Sequence, residues 1–588
     1  MHTRSKSLRN IQRVARPFPQ SERSKKIKIS FEDWISPSRI KNFMLNDPII
    51  DFLKISRNKH SRKTLDNQQV SFLKQQGIDF ESKILNLLKQ RIGNQFVFQV
   101  AHSKDDIKNP IKFEYTQHLI AERVPVIYQG VLYDYEKKLF GCPDLIIRAD
   151  YLHYLTETAI SIKEPGYVIV DIKFMTLMLK ADGKHLLNSG FVPYYKGQLL
   201  FYNSLLSKII GYTPEHAFII GRGLDIHPNN PFAGLAYIGV TKDAKYLAQK
   251  DKAIEWLRDL SENHLEWSIL PKPTRKELYP NMCNKNDDGY REEKQNIAEK
   301  LGDITQMWQC GVKHREKAFS LGIHSWHNIT DVSQLGLTNT KRSMIIQRMI
   351  DFNNGKIGKN VSVIPKKIKN NQFDWQNSTR MEFYIDFEVF NNLFVKDQFV
   401  FLFGIIYFDL RGKEVYKPFI AHSLDEKEEG RIATEFCNYI DEVSVKYGEE
   451  DPLLIHWSGA EVRFFEGVQE RHEVEFKSDV TFFDFLQVFH DDGILVKGAF
   501  NFSLKTIAKE MAKNRLIPAM DETDCKNGMD AMVNAFENYN SAVSSSSNEK
   551  SIAVKDLMKR HEDVIKYNRN DCLMLANIVK YLRKHHTK

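Results

Sequence analysis

The stretch from Gly166 to Tyr202, "GYVIVDIKFMTLMLKADGKHLLNSGFVPYYKGQLLFY", does most to limit what this chain can become. Its first half reads as a buried strand, because Val168, Ile169, Val170 and Ile172 form a short apolar run behind Gly166. Asp171 and Lys173 stand two apart in that run, so they project from one face. A core strand does not carry unpaired charge without a large desolvation cost, so such a pair holds a metal, a substrate or its own partner. The second half reads as a helix with Gln198 and Tyr202 one turn apart. An acid that binds a divalent cation and a lysine beside it are what phosphodiester hydrolysis needs. The cation offsets phosphate charge, and the lysine stabilises the attacking hydroxide or the pentacovalent centre.

Two further acids stand upstream. Asp144, in "FGCPDLIIRADYL", opens another apolar strand after Pro143. Glu81, in "GIDFESKILNLLKQRIG", sits early on an amphipathic helix whose Ile84, Leu85, Leu87 and Leu88 are apolar. The order helix-Glu, strand-Asp, strand-Asp-x-Lys, helix-Gln-x-x-x-Tyr resembles the PD-(D/E)XK nuclease superfamily, in its RecB-like branch. That resemblance implies a restriction-endonuclease-like α/β core in which Glu81, Asp144 and Asp171 bind metal, Lys173 is catalytic, and Gln198 and Tyr202 line the site. A lone Asp-x-Lys would imply none of this, since such pairs are common on solvated strands; the ordered set implies it. RecB-like nucleases often hold a four-cysteine iron-sulfur cluster as well. Here Cys142, Cys283, Cys310, Cys437, Cys525 and Cys572 are scattered without a C-x-x-C, so no cluster, zinc site or disulfide framework is expected.

At 588 residues the chain is long enough for several domains, and an apolar content of 42% permits ordinary cores. The net charge of +9 suggests a nucleic-acid partner until it is located. Arg4, Lys6, Arg9, Arg13, Arg16, Arg23, Lys25, Lys26 and Lys28 face only Glu22 before residue 30, so the remainder is nearly neutral. Residues 1–28 read as a solvated, disordered basic arm, with phosphate contact, a nuclear-localisation-like signal or a transit peptide as the functional readings. No run reaches the roughly 18 apolar residues of a membrane span, and no secretory segment follows the arm. A soluble intracellular protein is expected, in the cytoplasm, the nucleus or a viral replication site. With no G-x-x-x-x-G-K-[ST] loop, no ATP use is expected, and unwinding would fall to a separate helicase.

The first domain is expected over residues 29–271. It starts near the serine-flanked helix signal of "ISPSRIKNFML" and takes in strands on both sides of Asp144, then "HAFIIGRG", "GLAYIGV" and a helix from Ala244 to Leu260. Residues 272–355 begin with a polar loop and continue as a compact helical segment. There Gly311 separates two helical patterns, with Ala318 and Leu321 apolar on the second. This resembles a helix-hairpin-helix, which implies a phosphate contact at a helix N-terminus with Lys313, His314 and Arg315 alongside; a plain helical connector reads equally well. Residues 356–375, "KIGKNVSVIPKKIKNNQFDW", read as a basic linker, and "SAVSSSSNEK" around Ser544 as a flexible surface insertion.

A second constellation begins at "MEFYIDFEVF", where Asp386 and Glu388 share one face of a strand flanked by Phe383, Ile385 and Phe387. Adjacent carboxylates raise each other's pKa unless a divalent cation lies between them. Near the C-terminus, "HEDVIKYNRNDCLMLANIVKYL" reads as a helix with Tyr567 and Asp571 on one face. This pattern resembles the RNase H-like DEDD exonucleases, in their tyrosine-containing subgroup. The resemblance implies four carboxylates on two metals and a tyrosine that orients the attacking water. In "PLLIHWSGAEVRFFEGV", Glu461 follows His456 by five residues at the place of the missing acid. Trp457, Ala460 and Glu461 depart there from the family's Asn, Phe and Asp, and Asp484 is a rival. "FNFSLKTIAKEM" from Phe500 resembles the Ser-Leu-Lys helix that commonly stands between these motifs in the same family, and read on its own is an amphipathic helix capped by Ser503.

Residues 376–588 are therefore expected to form an RNase H-like α/β domain. The combination of domains resembles RecB-like nucleases of bacteria and large DNA viruses. It implies a Mg²⁺- or Mn²⁺-dependent nuclease acting on DNA in repair, recombination or replication, since a hard cation suits carboxylate and water ligands. Two other readings stay open: a nucleic-acid-binding scaffold with one or both sites inactive, and an RNA-processing exonuclease.

Overall fold

The computed structural model describes residues 30–56, 68–160, 165–225, 227, 230–390, 398–525, 527–545, 559 and 561–587. The basic arm lies outside the described residues, as does the part of the serine tract beyond Ser545. Ser544 and Ser545 close a helix, Gly528–Ser545, where a flexible insertion was expected. The chain divides into two compact units, one ending at Leu301 and the other made of Gly302–Lys588 together with Asn67–Phe72. No helix among the described residues is long and apolar enough to cross a membrane.

In the first unit six strands lie side by side in chain order: β1 (Val97–Gln99), β2 (Val126–Tyr128), β3 (Leu145–Arg148), β4 (Tyr167–Ile172), β5 (His216–Ile220) and β6 (Ala236–Gly239). β1 runs parallel to β2 and β4 parallel to β5, while the other neighbours are antiparallel. Alternation along β4 sorts its side chains into two cores. Val168, Val170 and Ile172 pack with Phe80, Ile84, Leu85 and Leu88 of helix α1 (Gln68–Ile92). Tyr167 and Ile169 pack instead with Leu199, Leu200 and Leu206 of α2 (Val192–Ile210) and Trp256 and Leu257 of α3 (Ala244–Asn263). α2 ends at Gly211, whose φ of 79° is the left-handed cap that glycine adopts without a Cβ penalty.

This unit runs past the expected end at Pro271. Lys294 reaches Asp47 Oδ2 at 2.5 Å, and Asn281 N and Asn284 Nδ2 donate to the same carboxylate. Both ions are fully buried, a contact of high sequence separation that no local pattern announces.

The second unit is built on β7 (Glu382–Phe390), β8 (Phe399–Phe408), β9 (Glu414–Ile420), β10 (Leu453–His456) and β11 (Thr481–Asp484). Their order across the sheet is β9-β8-β7-β10-β11; β7, β8 and β9 are antiparallel, and β10 and β11 run parallel to β7. Phe383, Ile385 and Phe387 face a core with Ile432, Phe436 and Ile440 of α5 (Glu426–Tyr447). The opposite face packs Tyr384, Ile406 and Ile455 against Cys572, Leu575 and Ile578 of α8 (Glu562–His586).

The expected linker is part of this fold. Val363 and Ile364 pair with Val496 and Leu495, and Ile368 and Trp375 are buried. Its lysines and asparagines disguise four apolar anchors.

Candidate functional site

In the first unit, β3 and β4 pair with Leu145 opposite Val170, so the next step of the register sets Asp144 opposite Asp171 at the strand ends. Asp171 is 1% exposed, and its Oδ2 lies 2.5 Å from Lys173 Nζ. Asp144 Oδ2 accepts the Ile172 backbone N–H at 2.7 Å. Burial, and then the Asp171 charge, push the Asp144 carboxyl well above the usual range. Burial alone would lower the Lys173 ammonium, but Asp171 and Asp144 outweigh it and leave it raised.

Gln198 Nε2 donates to Tyr202 Oη at 3.3 Å, and burial followed by Asp171 and Asp144 raises that phenol. Glu81 accepts from Tyr128 Oη (2.9 Å) and Gln129 Nε2 (3.0 Å). Both bonds are made to Oε1, and no oxygens of Glu81, Asp144 and Asp171 come mutually within the 4.8 Å that groups the acids of the second unit.

The second unit does bring three acids together. One carboxylate oxygen from each of Asp386, Glu388 and Asp571 lies within 4.8 Å of the others, the one such grouping of His, Cys, Asp or Glu among the described residues. β7 presents the first two on its α8 face, and α8 presents Asp571 one turn after Tyr567. Glu461, at the start of α6 (Ala460–His472), stands beside them; its charge raises Asp386 and Asp571. His456 donates through Nδ1 to Ser458 O at 2.5 Å, and that nitrogen lies 3.6 Å from Glu461 Oε2. Ser458 holds the intervening turn at φ 91°, a sparsely populated conformation for a residue with a Cβ. Asp484, the rival acid, accepts from Leu486 N and Ser458 N and is a helix cap.

Glu388, Asp571 and Glu461 are buried, Asp386 is half-buried, and the group is short of partners. Glu388 Oε1, Asp571 Oδ1 and Glu461 Oε2 accept no hydrogen bond. Burial, then Asp571, pushes the Glu388 carboxyl up to about 8. Asp571 rises to about 6 through burial, although Lys505 pulls it down. Asp386 is raised by burial and then by Glu388. Orphaned, hard, acceptor-only oxygens in a shared space fit a divalent cation.

Two residues at this site carry no site role in the sequence reading. Asn568 donates through Nδ2 to Asp386 O (3.0 Å) and Oδ2 (2.9 Å). Lys505, on α7 (Leu504–Lys513), donates to Tyr567 Oη at 2.5 Å and lies 3.6 Å from Asp571 Oδ2. Lys505 is the lysine of the Ser-Leu-Lys stretch that fits the family, but nothing in the spacing sets it beside Tyr567.

The segment around Gly311 differs from expectation. A 3₁₀ turn, Ile304–Gln306, takes the place of a preceding helix. On α4 (Val312–Phe319), Arg315 is buried and donates to Asp303 Oδ2 at 2.9 Å, while His314 Nδ1 accepts the Gly311 N–H that a phosphate would need. Lys313 is exposed.

No curated protein and no solved structure matches the chain. A family model does: residues 383–583, from β7 to α8, match RNase_H_2 of the RNase H superfamily, so the acid cluster of the second unit lies in an RNase H-like domain.

Proposed function

We propose that this protein is a divalent-cation-dependent nuclease acting on DNA, with its principal hydrolytic site in the RNase H-like domain. The observation that carries the proposal is the convergence of Asp386, Glu388 and Asp571 with unpartnered carboxylate oxygens. These three residues, with Glu461 adjacent, would hold Mg²⁺ or Mn²⁺. The bound cation would supply charge neutralisation for the phosphate and a more acidic water. The chain does the rest: Asn568 fixes the Asp386 carboxylate, and Tyr567, beside Asp571, orients the water.

A second reading concerns the first unit as a RecB-like, PD-(D/E)XK-type hydrolytic centre. Asp144 opposite Asp171, with Lys173 ion-paired to Asp171, supports it. In this reading Glu81 would join the ligands through Oε2 while Tyr128 and Gln129 hold Oε1, and Gln198 and Tyr202 would line the cleft. The nuclease-like first domain, expected over 29–271, extends to Leu301, and the helical segment and the RNase H-like domain follow from Gly302. A separate helicase partner would supply unwinding.

The test is cleavage of end-labelled single-stranded, duplex and flap DNA, with matching RNA, in Mg²⁺, Mn²⁺ or EDTA. Asp386→Ala is expected to abolish the main activity, and Asp171→Ala to remove a second, separable one. Cutting that survives Asp386→Ala and disappears with Asp171→Ala would reverse the assignment. Binding without cutting in either metal would leave a scaffold, and preference for RNA would change the polymer.

A further inference from the structure

We propose that Lys505 is a positioning residue that holds the Tyr567 phenol in its working orientation beside the acid cluster. The inference rests on the reading of Asp386, Glu388 and Asp571 as a hydrolytic metal site. Its own evidence is geometric. Lys505 Nζ donates to Tyr567 Oη at 2.5 Å and stands 3.8 Å from the centroid of the Tyr567 ring, so it meets both the hydroxyl and the π-face. The same ammonium is 3.6 Å from Asp571 Oδ2. Burial and then the Asp571 charge raise the Tyr567 phenol, so the hydroxyl stands beside that carboxylate.

The three groups form a chain in which Lys505 occupies a lone pair of the phenol oxygen. That leaves the phenol proton directed at Asp571. Without Lys505 the hydroxyl is free to turn about its C–O bond, and Tyr567 loses the orientation that makes it useful to a water near the cluster. The long side chain of Lys505 is 40% exposed, so its ammonium is held by these contacts and not by packing. Ser503 fixes the helix that carries it, accepting from Thr506 N at 3.2 Å.

The experiment compares the full-length wild type with Lys505→Met, Lys505→Arg, Tyr567→Phe and the Lys505→Met/Tyr567→Phe double variant, with Lys509→Met as control. Read-outs are single-turnover cleavage, KM, Mn²⁺ affinity by calorimetry and thermal midpoint. Displacement of an orienting group costs about 10²-fold in rate, and that loss in kcat is expected for both single variants with KM little changed. The double variant is expected to be no slower than either single one, because residues acting as one unit are not additive. Lys505→Arg should recover part of the rate, and Mn²⁺ affinity should not fall.

Multiplicative losses would show that Lys505 acts independently of Tyr567 and overturn the proposal. So would full activity in Lys505→Met with activity abolished by Asp386→Asn, an outcome that leaves the hydrolytic reading standing. Wild type that neither cuts nor binds Mn²⁺ would remove that reading and the role of Lys505 with it.

Discussion

Burial of Glu388 beside Asp386 and Asp571 makes protons and cations competitors for one space. Its folded pKa of about 8 lies above the ordinary 4.5, so the folded state binds more protons than the unfolded one between those values. The resulting stability is fully present below 4.5 and is lost as pH rises through about 8. In EDTA the melting temperature of the second unit should therefore fall across that window. Glu388→Gln should flatten the profile, and Mn²⁺ should restore the wild-type loss at the alkaline end. Differential scanning calorimetry reads all three.

Arg315 carries a different prediction. Its buried bond to Asp303 ties α4 to the rest of the helical segment. Arg315→Ala should cost about 3–5 kcal/mol by urea denaturation, because it strands a buried carboxylate. Lys313→Ala should cost almost nothing. The convergence of Asp386, Glu388 and Asp571 was legible at this scale, since acids spaced by two on an apolar strand and by a helical turn from a tyrosine stand out from their surroundings. Arg315 and Lys505 were not: a basic residue on a helix looks the same whether it meets solvent, a buried aspartate or a phenol.

At the scale of elements, the junction of β7, β8 and α8 decides the shape of the acid cluster. Gly404 lies opposite Asp386 in the β7–β8 register. A Cβ there would fall 1.6 Å from Asn568 Oδ1, on the side chain that fixes Asp386. Gly404→Ala should destabilise the second unit by about 1–3 kcal/mol, as overpacking does. It should also weaken Mn²⁺ binding, which a calorimetric titration would detect; unchanged affinity would mean that Asn568 does not set the Asp386 geometry. The strands themselves could be read from their apolar runs. The short pair of Val363 and Ile364 with Val496 and Leu495 could not, because two residues carry no period and their neighbours are basic.

At the scale of the whole molecule, two compact units predict two thermal transitions. Mn²⁺ should raise the transition that Asp386→Asn leaves unresponsive, and the other should move only if the acids around Asp171 bind the cation as well. The expected end of the first unit at Pro271 came from local breakers. The actual one depends on Lys294 finding Asp47, which only the folded chain reveals.

The two acid centres also differ in how far along the chain their parts are scattered. The candidate site residues of the Asp171 centre are complete by Tyr202 and its neighbouring strand by Ile220, whereas Asp386 waits for Asn568, 182 residues further on, and then for Asp571. Protein synthesis runs in one direction, and domains fold as units behind the ribosome. A nascent chain therefore carries β7 with its two acids facing no helix until α8 has left the exit tunnel. The first centre can mature while the second is still being made.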